Sequence, residues 1–244
     1  MIETLLLLSL IVFVTHGLEA VTGFGCTVLA FPFVIAVTGD IVFSKIILTI
    51  LAWVLALFFV VTNFKKINWR QFILIAVFAG VGIPVGILAF KNLNSALLTK
   101  ILGGFIVLSA GIQIYKLYFQ RTVQKISFSP FNYLYLILGG VVHGAFATGG
   151  PLIVLYSTKK LIDKGEFRVT MCLLWTVLNA ILIVHYLIDG KLTEEVGISL
   201  LALLPALVLG IVAGAFVHNR VNELLFKKIV FITLFVVGVF MLLT

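Results

Sequence analysis

Apolar residues run through this chain in long blocks, and polar positions fall almost entirely between them. The opening block covers residues 2–38 and is interrupted near Gly23–Gly25. Further blocks lie near 43–62, 71–90 and 96–117. Each has the length, about 20 residues, that a helix needs to cross hydrocarbon. A polar stretch from Gln120 to Pro130 divides the chain, and the plan then recurs. A broken block at 131–157 is followed by blocks at 168–188, 196–217 and 224–243. The pattern predicts an all-α polytopic membrane protein in two repeats, 1–119 and 131–244, joined by a cytoplasmic linker over 120–130.

Local identities support a duplication. Residues 93–101 (LNSALLTKI) match 221–229 (VNELLFKKI) at an offset of 128, as do Gly82 and Gly86 with Gly210 and Gly214. Phe43 matches Phe167, and Gly25 matches Gly149, at an offset of 124. Small loop insertions account for the drift. The paired glycines, four residues apart, suit close helix–helix approach.

Composition agrees with burial in lipid: 62% of the 244 residues are hydrophobic and only 11% are charged. That leaves no room for a soluble catalytic domain. The net charge of +8 lies in short loops, which favours a topology signal over nucleic-acid binding. Cys26 and Cys172 lie in apolar blocks and read as small buried side chains. The first block has no basic n-region or clear cleavage site, so a retained helix is expected.

Loop charge sets orientation. Basic residues mark three loops as cytoplasmic: Lys65, Lys66 and Arg70; Lys116, Arg121 and Lys125; and Lys159, Lys160, Lys164 and Arg168. Asp189–Glu195 carries three acids and one lysine and belongs outside. The segment 131–157 must then enter and leave on one face. At 27 residues it is about 40 Å long as helix, too short for two crossings of about 30 Å. A broken hairpin with arms 131–147 and 150–157 fits. Residues 2–38 become a similar hairpin, or a span plus a half-helix, with both termini of the chain outside. Each repeat is thus a re-entrant-type hairpin plus three transmembrane helices. An odd number of crossings inverts one repeat relative to the other. The alternative is eight simple spans in two parallel repeats.

The breaks carry the candidate chemistry. Thr22-Gly23-Phe24-Gly25 interrupts the first block, and Thr148-Gly149-Gly150-Pro151 the second. Glycine permits the turn and lets backbone N–H groups approach a ligand, and proline suits the first turn of a new helix. A helix N-terminus carries about half a positive charge, so such breaks favour an anion. Duplicated breaks at membrane depth point to a transporter's binding site. Packing kinks without a ligand are the structural alternative.

With Pro32 after the first motif and Leu155-Tyr156 after the second, these segments resemble the TauE/SafE sulfite and organosulfonate permeases over essentially the whole chain. Ala147 stands where glycine is common in that family. The resemblance implies a secondary transporter, often an exporter, of sulfite or sulfonates across the cell membrane. Substrate would bind between the hairpins, and movement of one repeat against the other would alternate access.

Other polar residues have competing roles. His16, Glu19 and Thr22 share a helical face, and intramembrane ionisable groups are functional candidates. Glu19 corresponds to His143 at offset 124, so Glu19, His143 and His16 are candidates for proton coupling. A Glu19–His16 hydrogen bond or surface exposure is the structural alternative. Arg168 is an anion contact or, slightly favoured, a cytoplasmic anchor. Asn179 is more simply helix–helix glue than a substrate contact. Trp53, Trp69 and Trp175 read as packing or interface residues, while His185 and His218 lie near helix ends and carry little signal. A homodimer is a candidate assembly. No cofactor motif occurs. No H-E-x-x-H or G-x-S-x-G occurs to suggest an enzyme. A metal-cation transporter lacks acids at membrane depth, Glu19 being nearly alone. A non-transporting membrane scaffold is the remaining alternative.

Overall fold

A computed structural model describes residues 2–92, 95–119, 131–147 and 150–243. The expected linker, 120–130, lies outside them. All regular structure among the described residues is helical. In chain order the α-helices are α1 (Ile2–Thr22), α2 (Cys26–Thr38), α3 (Ile41–Asn63), α4 (Trp69–Asn92) and α5 (Ser95–Phe119). They continue as α6 (Phe131–Phe146), α7 (Gly150–Lys160), α8 (Lys164–Ile188), α9 (Glu194–Arg220) and α10 (Glu223–Leu243). A single 3-10 turn, Phe64–Lys66, links α3 to α4.

Local chemistry sets the boundaries. Gly39, at φ 71°, closes α2. Asp40 opens α3 by accepting hydrogen bonds from the backbone N–H groups of Val42 at 2.8 Å and Phe43 at 3.0 Å. Both interrupted blocks are pairs of helices packed on each other, α1 on α2 and α6 on α7. The helices α2, α6 and α7 have 13, 16 and 11 residues. They reach about 20, 24 and 17 Å, each short of a bilayer core of about 30 Å. Six helices, α1, α3, α4, α8, α9 and α10, have the length and composition to cross a membrane.

The chain forms two compact units. One comprises Met1–Ala76 with Gly165–Arg220, the other Val77–Lys164 with Val221–Thr244. Each therefore draws helices from both halves of the sequence. In the first, α1 packs on α2, α3 and α9, and α3 also packs on α2 and α9. In the second, α5 packs on α10 and α7.

Glycines set the closest approaches, and they do so at repeat spacing. In the first unit Gly210 lies against the backbone of Phe13 and Gly17, and Gly214 against Gly17 and Ala20. In the second, Gly82 lies against Ile137 and Val141, and Gly86 against Val141 and Ala145. The partners of Gly210 and Gly82 are separated by 124 residues, and the glycines by 128. The expected role of these glycines in close packing is what the structure shows. A Cβ on Gly210 would sit 2.9 Å from the Phe13 carbonyl oxygen, and one on Gly82 2.6 Å from the Val141 nitrogen. Neither neighbour is a flexible side-chain tip, so the helices must separate.

Outward faces are apolar. Leu6, Leu10 and Val14 of α1, Ile73, Val77, Val81 and Val85 of α4, and Leu201, Val208 and Val212 of α9 are all exposed. In water such rows would form very large apolar patches; in a bilayer they meet lipid.

Two substitutions test this packing. Gly86→Ala places a Cβ into the Val141 and Ala145 backbone, whereas Gly80 has nothing within 4 Å of an added Cβ and accepts alanine. Thermal unfolding of detergent-solubilised protein is expected to lose several degrees for Gly86→Ala. For Gly80→Ala it should stay level or gain stability, since glycine within a helix costs about 0.5–1 kcal/mol relative to alanine.

Candidate functional site at the helix breaks

The first break turns on two left-handed glycines, Gly23 at φ 82° and Gly25 at φ 106°. The α1 helix closes with a hydrogen bond from Gly23 N to Glu19 O at 2.6 Å. The remaining carbonyls at this helix end belong to buried residues and need donors. Arg168 Nη1 donates to Ala20 O at 3.0 Å. His218 Nδ1 lies 2.8 Å from Val21 O, and because a carbonyl only accepts, the ring proton is on Nδ1. Trp175 Nε1 donates to Gly23 O at 2.8 Å. The Thr22 hydroxyl is shared between Leu18 O at 2.9 Å and Phe24 O at 2.8 Å. Cations and N–H donors thus collect at the negative end of α1, as its dipole favours.

The positive end of α2 takes the opposite charge type. Glu19 reaches across the break, and its Oε2 accepts from Cys26 N at 2.8 Å. Glu19 is only 3% exposed. The backbone N–H at this helix N-terminus thus has an acceptor supplied by the chain itself. Neither structural alternative for Glu19 occurs, because it is not at the surface and does not bond to His16. The His16 Nδ1 instead bonds Val12 O at 3.1 Å, leaving Nε2 buried without a hydrogen-bond partner.

Arg168 is buried rather than an exposed anchor. Its guanidinium lies over the Phe59 ring, 4.4 Å from the centroid. Its backbone and stem press on Gly23, where a Cβ would fall 2.9 Å from Arg168 Cα. Its Nε is buried with no acceptor. Arg168, Cys172, Trp175 and Asn179 follow at spacings of four, three and four, so they share one face of α8. All four are buried. The Asn179 Oδ1 makes no hydrogen bond among the described residues, so the expected interhelical bond is not seen for that atom. Both cysteines are free and buried.

The second break has the same helix ending. Ala147 N bonds His143 O at 2.7 Å, at the positions equivalent to Gly23 and Glu19. Ala147 is the one non-glycine residue with positive φ, 56°, among the described residues. A Cβ there costs about 1–2 kcal/mol, which explains why glycine suits this position. His143 is buried. Gly150 and Pro151 form the first turn of α7, as expected for proline. Thr148 and Gly149 lie outside the described residues.

Sequence reasoning missed Trp175 and His218. Trp175 shares the α8 face of Arg168. His218 follows Gly210 and Gly214 at four-residue steps, on the face that approaches α1. Trp53, by contrast, is a packing residue that donates to Thr176 O at 3.1 Å. His185 pairs with the partly exposed Asp189 at 3.5 Å, a contact of small energetic weight.

Six helices long and apolar enough to span, with shorter apolar helices among them, define a multi-pass membrane protein. The sequence model of the sulfite exporter TauE/SafE family matches residues 8–241, and the chain belongs to that family. No curated protein and no solved structure matches it.

Two measurements probe the break. Ala147→Gly is expected to stabilise the protein by about 1 kcal/mol, read as a higher unfolding temperature. Trp175→Phe removes the donor to Gly23 O and should cost about 1–3 kcal/mol, the range for a buried carbonyl left unpaired. An unchanged unfolding temperature for Trp175→Phe would show that the indole does not hold the turn.

Proposed function

We propose that the protein exports sulfite or a small organosulfonate, taking the anion at its helix breaks. One observation carries this reading: the first break holds a buried carboxylate against the N-terminus of α2, with the Arg168 side chain lying along Gly23 in the same turn. A sulfonate or sulfite oxygen has the same hydrogen-bonding character as a carboxylate oxygen, and backbone N–H donors with a guanidinium suit either. Membership of the sulfite exporter family supports a sulfur oxyanion as that anion.

Gly23, Phe24 and Gly25 shape the turn in this reading. Arg168 supplies positive charge, and Asn179 lies three turns further along the same α8 face. Thr148, Gly149, Gly150 and Pro151 are the counterpart at the second break. Thr22 acts by holding the turn, since its hydroxyl is committed to backbone carbonyls. Glu19, His16 and His143 are the candidate proton carriers. The basic loops put the α3–α4 and α7–α8 connections in the cytoplasm of a cell-membrane protein.

Proteoliposomes loaded with labelled sulfite or methanesulfonate test the reading. Wild-type protein should release label well above empty vesicles. Gly25→Leu and Arg168→Gln should each lower the rate at least tenfold, with sulfate as a specificity control. Full flux in both variants would place the anion path elsewhere.

A further inference from the structure

The N-terminus of α2 is already occupied. Glu19 Oε2 sits 2.8 Å from Cys26 N, where an incoming oxyanion would find its first backbone donor. Beside it, Arg168 Nε is buried without an acceptor, on a side chain packed along Gly23. The site therefore has unspent donor capacity and one resident carboxyl group. Two anions cannot share one N–H and one short stretch of helix dipole, because like charges at such separation repel strongly in a dry interior.

We infer that Glu19 and the transported anion exclude one another at the N-terminus of α2, and that Glu19 yields the seat by taking up a proton. The inference rests on the anion-transport reading above. In the step itself, one Oε of Glu19 forms a bond to a proton drawn from the aqueous face. The neutral acid releases Cys26 N, and the substrate anion accepts from it. The site's net charge is then unchanged, with one proton bound per anion.

The surrounding groups fit this exchange. Cys26 on α2 donates its backbone N–H to Glu19 and Cys172 on α8 interacts with it, while Arg168 on α8 and His218 on α9 meet the next two carbonyls of α1, Ala20 O and Val21 O. The α3 helix contributes the Phe59 ring beneath Arg168. One turn back on α1, His16 holds its Nδ1 proton on Val12 O. Its Nε2 is buried without a hydrogen-bond partner, on a residue three positions before Glu19 on the same helix.

Calorimetric titration of the full-length protein with methanesulfonate and with sulfate, neither of which titrates between pH 5 and 9, tests the exchange. In wild type, affinity should fall about tenfold per pH unit once Glu19 is ionised, and repetition in buffers of different ionisation heat should show uptake of one proton per anion. Glu19→Gln puts a neutral side chain in place of the carboxylate, the charge state of protonated Glu19, so Cys26 N stays available to the anion at every pH. It should abolish the pH dependence and bind more tightly than wild type at high pH. Glu19→Ala should do the same with the seat empty. If wild type binds either anion without proton uptake, or Glu19→Gln keeps the wild-type pH dependence, the exchange is overturned and the transport reading stands. If wild type binds neither anion at any pH, both fall.

Discussion

A helix that stops inside a membrane exposes carbonyls at one end and N–H groups at the other, with no water to receive them. In this protein the first break meets that demand from several directions. Arg168 and Trp175 come from α8, His218 from α9, and Glu19 from the helix that has just ended. Thr22 closes the turn locally. Each buried carbonyl left without a donor would cost about 1–3 kcal/mol. Glu19, Arg168, Trp175 and His218 are therefore gathered at one place. The site is where it is because the break has to be satisfied.

The glycine contacts serve the same end. His218 can reach Val21 only because Gly210 and Gly214 let α9 lie against α1. Arg168 can cap Ala20 only because Gly23 has no side chain where the Arg168 backbone passes. Small residues thus determine where charged ones act. The polar cluster and the packing are one design, and a methyl group added at either glycine site would disturb both.

Much of this is legible in the sequence. Apolar blocks of spanning length, charged loops and glycine-rich interruptions locate the helices to within a few residues. The short second arms follow from simple length arithmetic. The partners at the break are harder to see. Arg168 stands at the end of a basic run that looks like a loop anchor, and only the three-dimensional path of α8 turns it inward. Glu19 bonds to a backbone nitrogen, which no pattern of side chains advertises. Trp175 and His218 act on carbonyls about 150–200 residues away in sequence, and one sequence carries no record of such pairings. Thr22 belongs to the motif at the break, but local backbone acceptors take its hydroxyl, as they commonly do for threonine near helix ends.

The pairing of α1 with α9 also dictates an order of assembly. The α1 helix leaves the ribosome carrying His16 and Glu19, long before Gly210, Gly214 and His218 are made. At about 5–20 residues per second, Gly17 waits roughly 10–40 s for its partner. Throughout that interval Ala20 O and Val21 O lack the Arg168 and His218 donors that later meet them. A helix made early is thus among the last to be finished.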